Sequence, residues 1–213
     1  SDLMNAITYK EGFPLIKDNK VWLGATGNGN DMVFGVPDGA KVDEKDKAKA
    51  ARLGYVGNYT RLGNSCWFTS IEHGRRHEPL PLMSMADNLR FSKHKELKGK
   101  AAYDRYDNYD AIEVPFTDAI PSDYDGVMGV PISFLIKYCP EQFEILGMCE
   151  NEDLYSKKTR VYTTYKCKTA YLKKFGKAGT YDLNASEVIT RNGIQEKVYQ
   201  RILIINHKFM PNS

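Results

Sequence analysis

The order of apolar and polar positions predicts a chain that mixes helices with short strands. Residues 5–17 place Ile7, Phe13, Leu15 and Ile16 in a helix-like pattern. Pro14 limits its regularity, because an interior proline loses a hydrogen bond and crowds the preceding turn. Residues 20–24 and 32–36 read as two strands, and the glycine- and asparagine-rich 25–31 as the turn of a hairpin joining them. Residues 43–53 have helix-forming composition without a breaker. Two further strands are expected at 55–62 and 65–71, the second (SCWFTSI) aromatic and β-branched.

Beyond Glu72 the pattern changes. Glycine, basic residues and prolines crowd 73–82 into a loop-like stretch, and 111–115 reads as a short strand. In 129–138 (GVPISFLIKY) a proline opens an apolar run, as at a helix N-terminus. Residues 143–147 and 198–206 are apolar, β-branched and strand-like. A mixed α/β or α+β architecture follows, with a boundary near residue 72.

Charge alters this picture more than composition does. The net charge is only +3, yet 104–125 carries seven acids against Arg105, while 154–181 carries eight bases and no acid. A surface selected for solubility mixes its signs, so a polyanion partner is the simplest account of the basic stretch. Five tyrosines (155, 162, 165, 171, 181) alternate with those cations. Cations neutralise phosphates with counterion release, and tyrosines hydrogen-bond phosphate or stack on exposed bases. Lys157, Lys158, Arg160, Lys166 and Lys168 are the candidates there, against a bland reading as a basic edge strand and loop. The fourteen tyrosines of the chain also hint at surface contacts rather than core filling.

Other motifs carry less. The run from Gly24 to Gly29 resembles a nucleotide loop, but a strand-like segment follows it where a helix is required, so a cofactor loop is rejected. His73 and His77 stand at i and i+4, yet Gly74, Pro79 and Pro81 oppose a helix and Arg75 and Arg76 repel a cation; no metal site is expected. The arginine pair suits phosphate better. Arg90, Lys93 and Lys95 belong to a second basic cluster that is either a solvated face or a phosphate contact. Four dispersed cysteines read as reduced thiols of a cytoplasmic protein. No apolar run approaches the roughly 20 residues that span a bilayer, so no membrane partner is expected.

Several segments together resemble the EcoRI-type adenine-specific DNA methyltransferases of restriction–modification systems and phage. They are 5–17 (NAITYKEGFPLIK), 63–82 (GNSCWFTSIEHGRRHEPLPL), 106–138, 142–147 (QFEILG) and 199–204 (YQRILI). The resemblance implies the last strands of a Rossmann-like methyltransferase sheet over 1–71, followed by a DNA target-recognition region over 72–213. It implies S-adenosylmethionine as methyl donor, double-stranded DNA as partner, and a target adenine flipped from the duplex. The family's Pro-Pro-aromatic catalytic motif has no counterpart, since none of the nine prolines is adjacent to another. The chain is therefore expected to begin near the end of the catalytic fold, to carry no catalytic residue, and to be inactive alone. By motif position, Phe68, with Trp67 second, is the expected aromatic against the flipped base. A stand-alone DNA-binding module derived from a methyltransferase remains an alternative, as does a hydrolase using His73, His77 and the acidic stretch around a metal.

Overall fold

The computed structural model describes residues 3–25, 32–61, 66–74, 76 and 78–209, with side chains from residue 6 onward. Arg75, His77 and most of the 24–29 glycine run lie outside the described residues. The chain divides into two compact units, Ser1–Arg76 and His77–Ser213. In words, it is a mixed α/β protein whose main sheet combines parallel and antiparallel strands.

In the first unit the predicted amphipathic segment is two short helices, α1 (Leu3–Thr8) and α2 (Gly12–Lys17). Pro14 is the third residue of α2, where its missing N–H would have had no intrahelical partner. Phe13 and Ile16 turn inward. Next come β1 (Trp22–Leu23), β2 (Val33–Gly35), α3 (Glu44–Arg52), β3 (Tyr59–Arg61) and β4 (Phe68–Thr69). Asp43 caps α3, its side chain accepting from the Lys45 N–H at 2.7 Å.

The expected hairpin does not form. β1 pairs antiparallel with β4, and β2 with β3. Two or three residues of strand have too little local pairing to hold a hairpin, so the longer-range neighbours decide. The strand expected over 65–71 is also shorter, only Phe68–Thr69.

The second unit contains α4 (Met85–Phe91), β5 (Ile112–Glu113), β6 (Met128–Pro131), β7 (Phe143–Met148), α5 (Thr164–Phe175), β8 (Val188–Arg191), β9 (Ile194–Lys197) and β10 (Arg201–Asn206). Pro131 ends β6 and leads into a 3-10 turn at Ile132–Lys137, rather than opening an α-helix. The sheet order is β5-β6-β10-β7, with only β5 and β6 parallel. β10 is central and its apolar run is buried on both faces, which is why it reads as continuous rather than alternating. Leu203 packs with Tyr106, Tyr109, Ala111, Cys149 and Ile189. Ile202 and Ile204, on the other face by strand alternation, are fully buried too.

The tyrosine excess is partly core, correcting the expectation from composition. Tyr103, Tyr106, Tyr109 and Tyr162 are buried. Glycines make room for two other ring placements: a Cβ at Gly129 would enter the Tyr106 ring, and one at Gly147 would meet the Tyr155 ring at 2.8 Å. Tyrosine therefore fills space here, and two of the buried hydroxyls reach acceptors: Tyr103 donates to the Ala119 carbonyl at 2.6 Å and Tyr106 to Glu113.

Beneath the sheet lies a buried ionic group. Arg201 grips Glu113 through two bonds, Nη2 to Oε1 at 2.6 Å and Nε to Oε2 at 3.2 Å. Glu187 is completely buried, and among the described residues no cation forms an ion pair with its carboxyl. Burial pushes its pKa up to about 8, against the lowering influence of the Cys149 thiol and the Arg201 cation. The four cysteines are buried free thiols.

Candidate nucleic-acid interface

The acidic stretch turns out to be internal wiring. Asp104 accepts from Arg191 at 2.6 Å and from Lys100 at 2.9 Å, and its carboxyl pKa is lowered by those bonds in spite of partial burial. Asp107 accepts from the Thr190 hydroxyl at 2.5 Å, and Asp110 from Arg105 at 2.7 Å. Asp118 holds Lys93 at 2.7 Å and His94 at 2.8 Å, with the His94 ring stacked on Phe116 at 3.5 Å. Asp123 accepts from the Met85 N–H at 2.7 Å. Asn108, fully buried, donates to the Ser186 carbonyl and accepts from the Val188 N–H, tying the same loop to the β8–β9 hairpin.

The basic stretch is treated differently. Its centre is α5, opened by Thr163, whose hydroxyl accepts from the Lys166 N–H, and closed by Gly176 at φ +67°. Cys167 and Ala170 face inward, onto Tyr162, Leu183 and Val188. Helical spacing then puts Tyr165, Lys168, Leu172, Lys166 and Lys173 on the outward side. All five are exposed, Tyr165 to 78%. No acid stands in the first turn, so the positive end of the helix dipole is not cancelled by its own side chains. Between α5 and the hairpin lies a cleft of about 310 Å³ that draws Lys166 and Lys173 together with Thr190 and Gln195. Among the described residues, no carboxylate pairs with Lys157, Lys166, Lys168, Lys173 or Lys177. Charge segregation along the sequence therefore becomes an unneutralised cationic face in space.

Not every candidate joins it. The Lys158 ammonium is half-buried and donates to the carbonyls of Glu150 (2.7 Å), Asn151 (3.2 Å) and Asn184 (2.7 Å), a structural clasp between two loops. Burial lowers its pKa, although neighbouring carboxylates resist that shift. Lys174 is shared with Glu196 at 3.4 Å. Lys157 and Arg160 are exposed on the loop leading to α5. In the other basic cluster Lys93 is paired with Asp118, Arg90 lies 4.8 Å over the Phe91 ring, and Lys95 is exposed.

The remaining candidates belong to the first unit. Arg76 stacks 4.2 Å over Trp22, donates to the Asn19 side chain and lies 3.9 Å from Glu72, so its fork is held by its own unit. His73 Nε2 lies 3.0 Å from the Leu23 carbonyl. Trp67 is 63% exposed with its indole N–H directed at Met32 sulfur (3.0 Å), while Phe68 is half-buried in β4.

Lys173 and Tyr165 belong to the basic, tyrosine-bearing stretch read from the sequence, but the helix that presents them was not expected. The signals were present: Thr163 and Gly176 bracket the segment as caps, and Lys166 and Lys173 are seven apart, two helical turns.

Comparison with known proteins agrees with the resemblance. A family model described as adenine-specific methyltransferase EcoRI matches residues 2–208. The type II methyltransferase M.EcoRI of Escherichia coli is 42% identical over 151 residues, which is 70% of this chain and 42% of that protein. M.MpnI of Mycoplasma pneumoniae is 31% identical and M.MgeORF184P of Mycoplasma genitalium 33%, each over 68% of this chain and 42% of the relative. The chain thus spans less than half the length of the curated relatives it matches. No solved structure matches it. Among the described residues no helix is long and apolar enough to cross a membrane. The chain belongs to the EcoRI-type adenine-specific methyltransferase family.

Proposed function

We propose that this chain supplies double-stranded DNA binding and target recognition to a site-specific adenine-N6 DNA methyltransferase. The observation that carries the reading is the outward face of α5, cationic and tyrosine-bearing, where among the described residues no carboxylate pairs with Lys166, Lys168 or Lys173. Acids of the 104–125 stretch are engaged elsewhere: Asp104 and Asp107 with the β8–β9 hairpin, and Asp118 with Lys93 and His94. Lys157, Arg160, Lys166, Lys168 and Lys173 neutralise phosphates, and Lys95 and Arg90 extend that contact. Such contacts position a protein on the duplex without reading sequence.

S-adenosylmethionine is the methyl donor that the family implies. Its sulfonium and ribose diol call for aromatic faces and carboxylates. Among the described residues, no strand runs through a glycine turn into a helix N-terminus, and the aromatic cleft at the end of α5 is lined by Lys174 and Lys197 instead. The described residues do not fit that cofactor, and no chemical step through it is assigned to them.

Titration of a labelled duplex at 50–200 mM salt tests the reading. Five phosphate contacts give a log–log salt slope of roughly −4.5, steeper where Lys95 and Arg90 add theirs. Binding that ignores salt would remove the cationic face from the interface. In the first unit, Phe68 is the proposed stacking partner of the flipped adenine. Phe68→Ala then weakens binding to a duplex with an unpaired target adenine more than to a paired one, and equal losses would count against stacking.

A further inference from the structure

At the C-terminal end of α5 the rings of Tyr171, Phe175 and Tyr181 pack on one another, with centroid separations of 4.6, 5.6 and 6.2 Å. The Tyr181 hydroxyl donates to the Gln195 carbonyl at 2.7 Å, which fixes that ring against β9. Gly179 leaves the space that the Tyr171 ring occupies. These rings wall a cavity of about 440 Å³ whose far side is formed by Lys197, Tyr199 and Gln200. Tyr199 is 87% exposed, a large aromatic at the mouth of a largely apolar cavity. A volume of that size suits a small planar ligand.

The chemistry of the wall defines the occupant. A wall of aromatic rings, tilted or edge-on to one another, calls for a flat ring, the Gln200 amide offers both a donor and an acceptor to a polar ring edge, and the Lys197 ammonium calls for an anion close by. Lys174 also lines the cavity but is shared with Glu196 at 3.4 Å, leaving Lys197 as the principal anion partner. A flat ring with a polar edge and an attached anion is a nucleotide. Because the cavity lies on the same helix as Lys166, Lys168 and Lys173, a strand held on that face can deliver a base to it.

We propose that this cavity receives a single unstacked base of bound DNA, with its 5′ or 3′ phosphate on Lys197, as a second base-holding site separate from the one assigned to Phe68. The proposal rests on the DNA-binding reading above. Its test compares a fully paired duplex with the same duplex carrying one extrahelical cytosine away from any target adenine, which does not engage the Phe68 site, using wild-type chain and Tyr199→Ala. Tyr199 is so exposed that its removal leaves the core intact. Wild type binds the bulged duplex roughly tenfold more tightly, as expected for one base–aromatic stack. Tyr199→Ala loses that preference and keeps its affinity for the paired duplex. Equal affinity of wild type for both duplexes, or a preference that survives Tyr199→Ala, overturns the cavity site alone. Absence of binding to either duplex overturns the DNA-binding reading along with it.

Discussion

Replacing Lys166, Lys168 and Lys173 together by alanine lowers duplex affinity by roughly two to three decades at 0.1 M salt. The size follows from counterion release, in which each neutralised phosphate contributes about 0.9 to the slope of log affinity against log salt. Three lost contacts flatten the slope by about 2.7 units. All three side chains are exposed and outside the buried side of α5, where Cys167 and Ala170 sit, so helix and fold persist in the variant. Alanine also has a higher helix propensity than lysine. The measurement is an anisotropy titration at several salt concentrations, with circular dichroism to confirm folding. A folded variant with the wild-type slope would show that DNA, if bound, meets another face. Lys158→Ala is a useful contrast: its ammonium clasps backbone carbonyls, so its loss is read in stability rather than in the salt slope.

The second large effect concerns stability and pH. Glu187 has an ordinary value near 4.5 and is raised to about 8 in the fold, first by burial. Arg201 is already neutralised by Glu113, so an ionised Glu187 would add an uncompensated charge to a dry core. The sign is that of a group whose folded pKa lies above its unfolded one. Below pH 4.5 the carboxyl is neutral in both states and its contribution is fully present. As pH rises toward 8 the unfolded chain releases the proton while the folded chain retains it, and stability falls by up to about 1.4 kcal/mol per pH unit. The total is on the order of 4 kcal/mol. Glu187→Gln, neutral at every pH, removes that slope and is the more stable form at pH 8. Urea midpoints at pH 5, 6.5 and 8 measure it. A variant whose stability declines with pH as steeply as wild type would mean that other groups carry the dependence.

How far the sequence foretold this molecule depends on the range of the forces involved. β10 was legible because an apolar, β-branched run buried on both faces has few alternatives, and β7 because its apolar positions alternate with partly buried ones. α3 was legible because Asp43 caps a run of good helix formers. The pairing of β1 with β4 and of β2 with β3 was not legible, since strands of two or three residues take their partners from tertiary packing. The β8–β9 hairpin was missed although its turn, Asn192-Gly193 with φ of 52° and 74°, is a strong local signal. Attention to charge obscured it, as it obscured the caps of α5.

The candidate site was legible as composition but not as geometry. The basic stretch was located, yet its sequence could not show that Lys158 turns inward or that Lys174 meets Glu196 across the hairpin. The acidic stretch shows the same limit. Its charges stand together in the sequence, whereas in the fold Asp104, Asp107, Asp118 and Glu113 bind the basic and hydroxyl groups of neighbouring elements. Tyrosines misled for a related reason: burial of Tyr106 depends on Gly129, which is remote in sequence and adjacent in the sheet.

The central claim is that this chain recognises DNA and leaves the cofactor to other parts of its family's fold. Calorimetric titration with S-adenosylmethionine, then with a short adenine-containing duplex, tests it most directly. The expected result is no heat of cofactor binding and a salt-sensitive duplex isotherm. Micromolar binding of the cofactor to this chain alone, or a duplex that gives no heat at low salt, would contradict it.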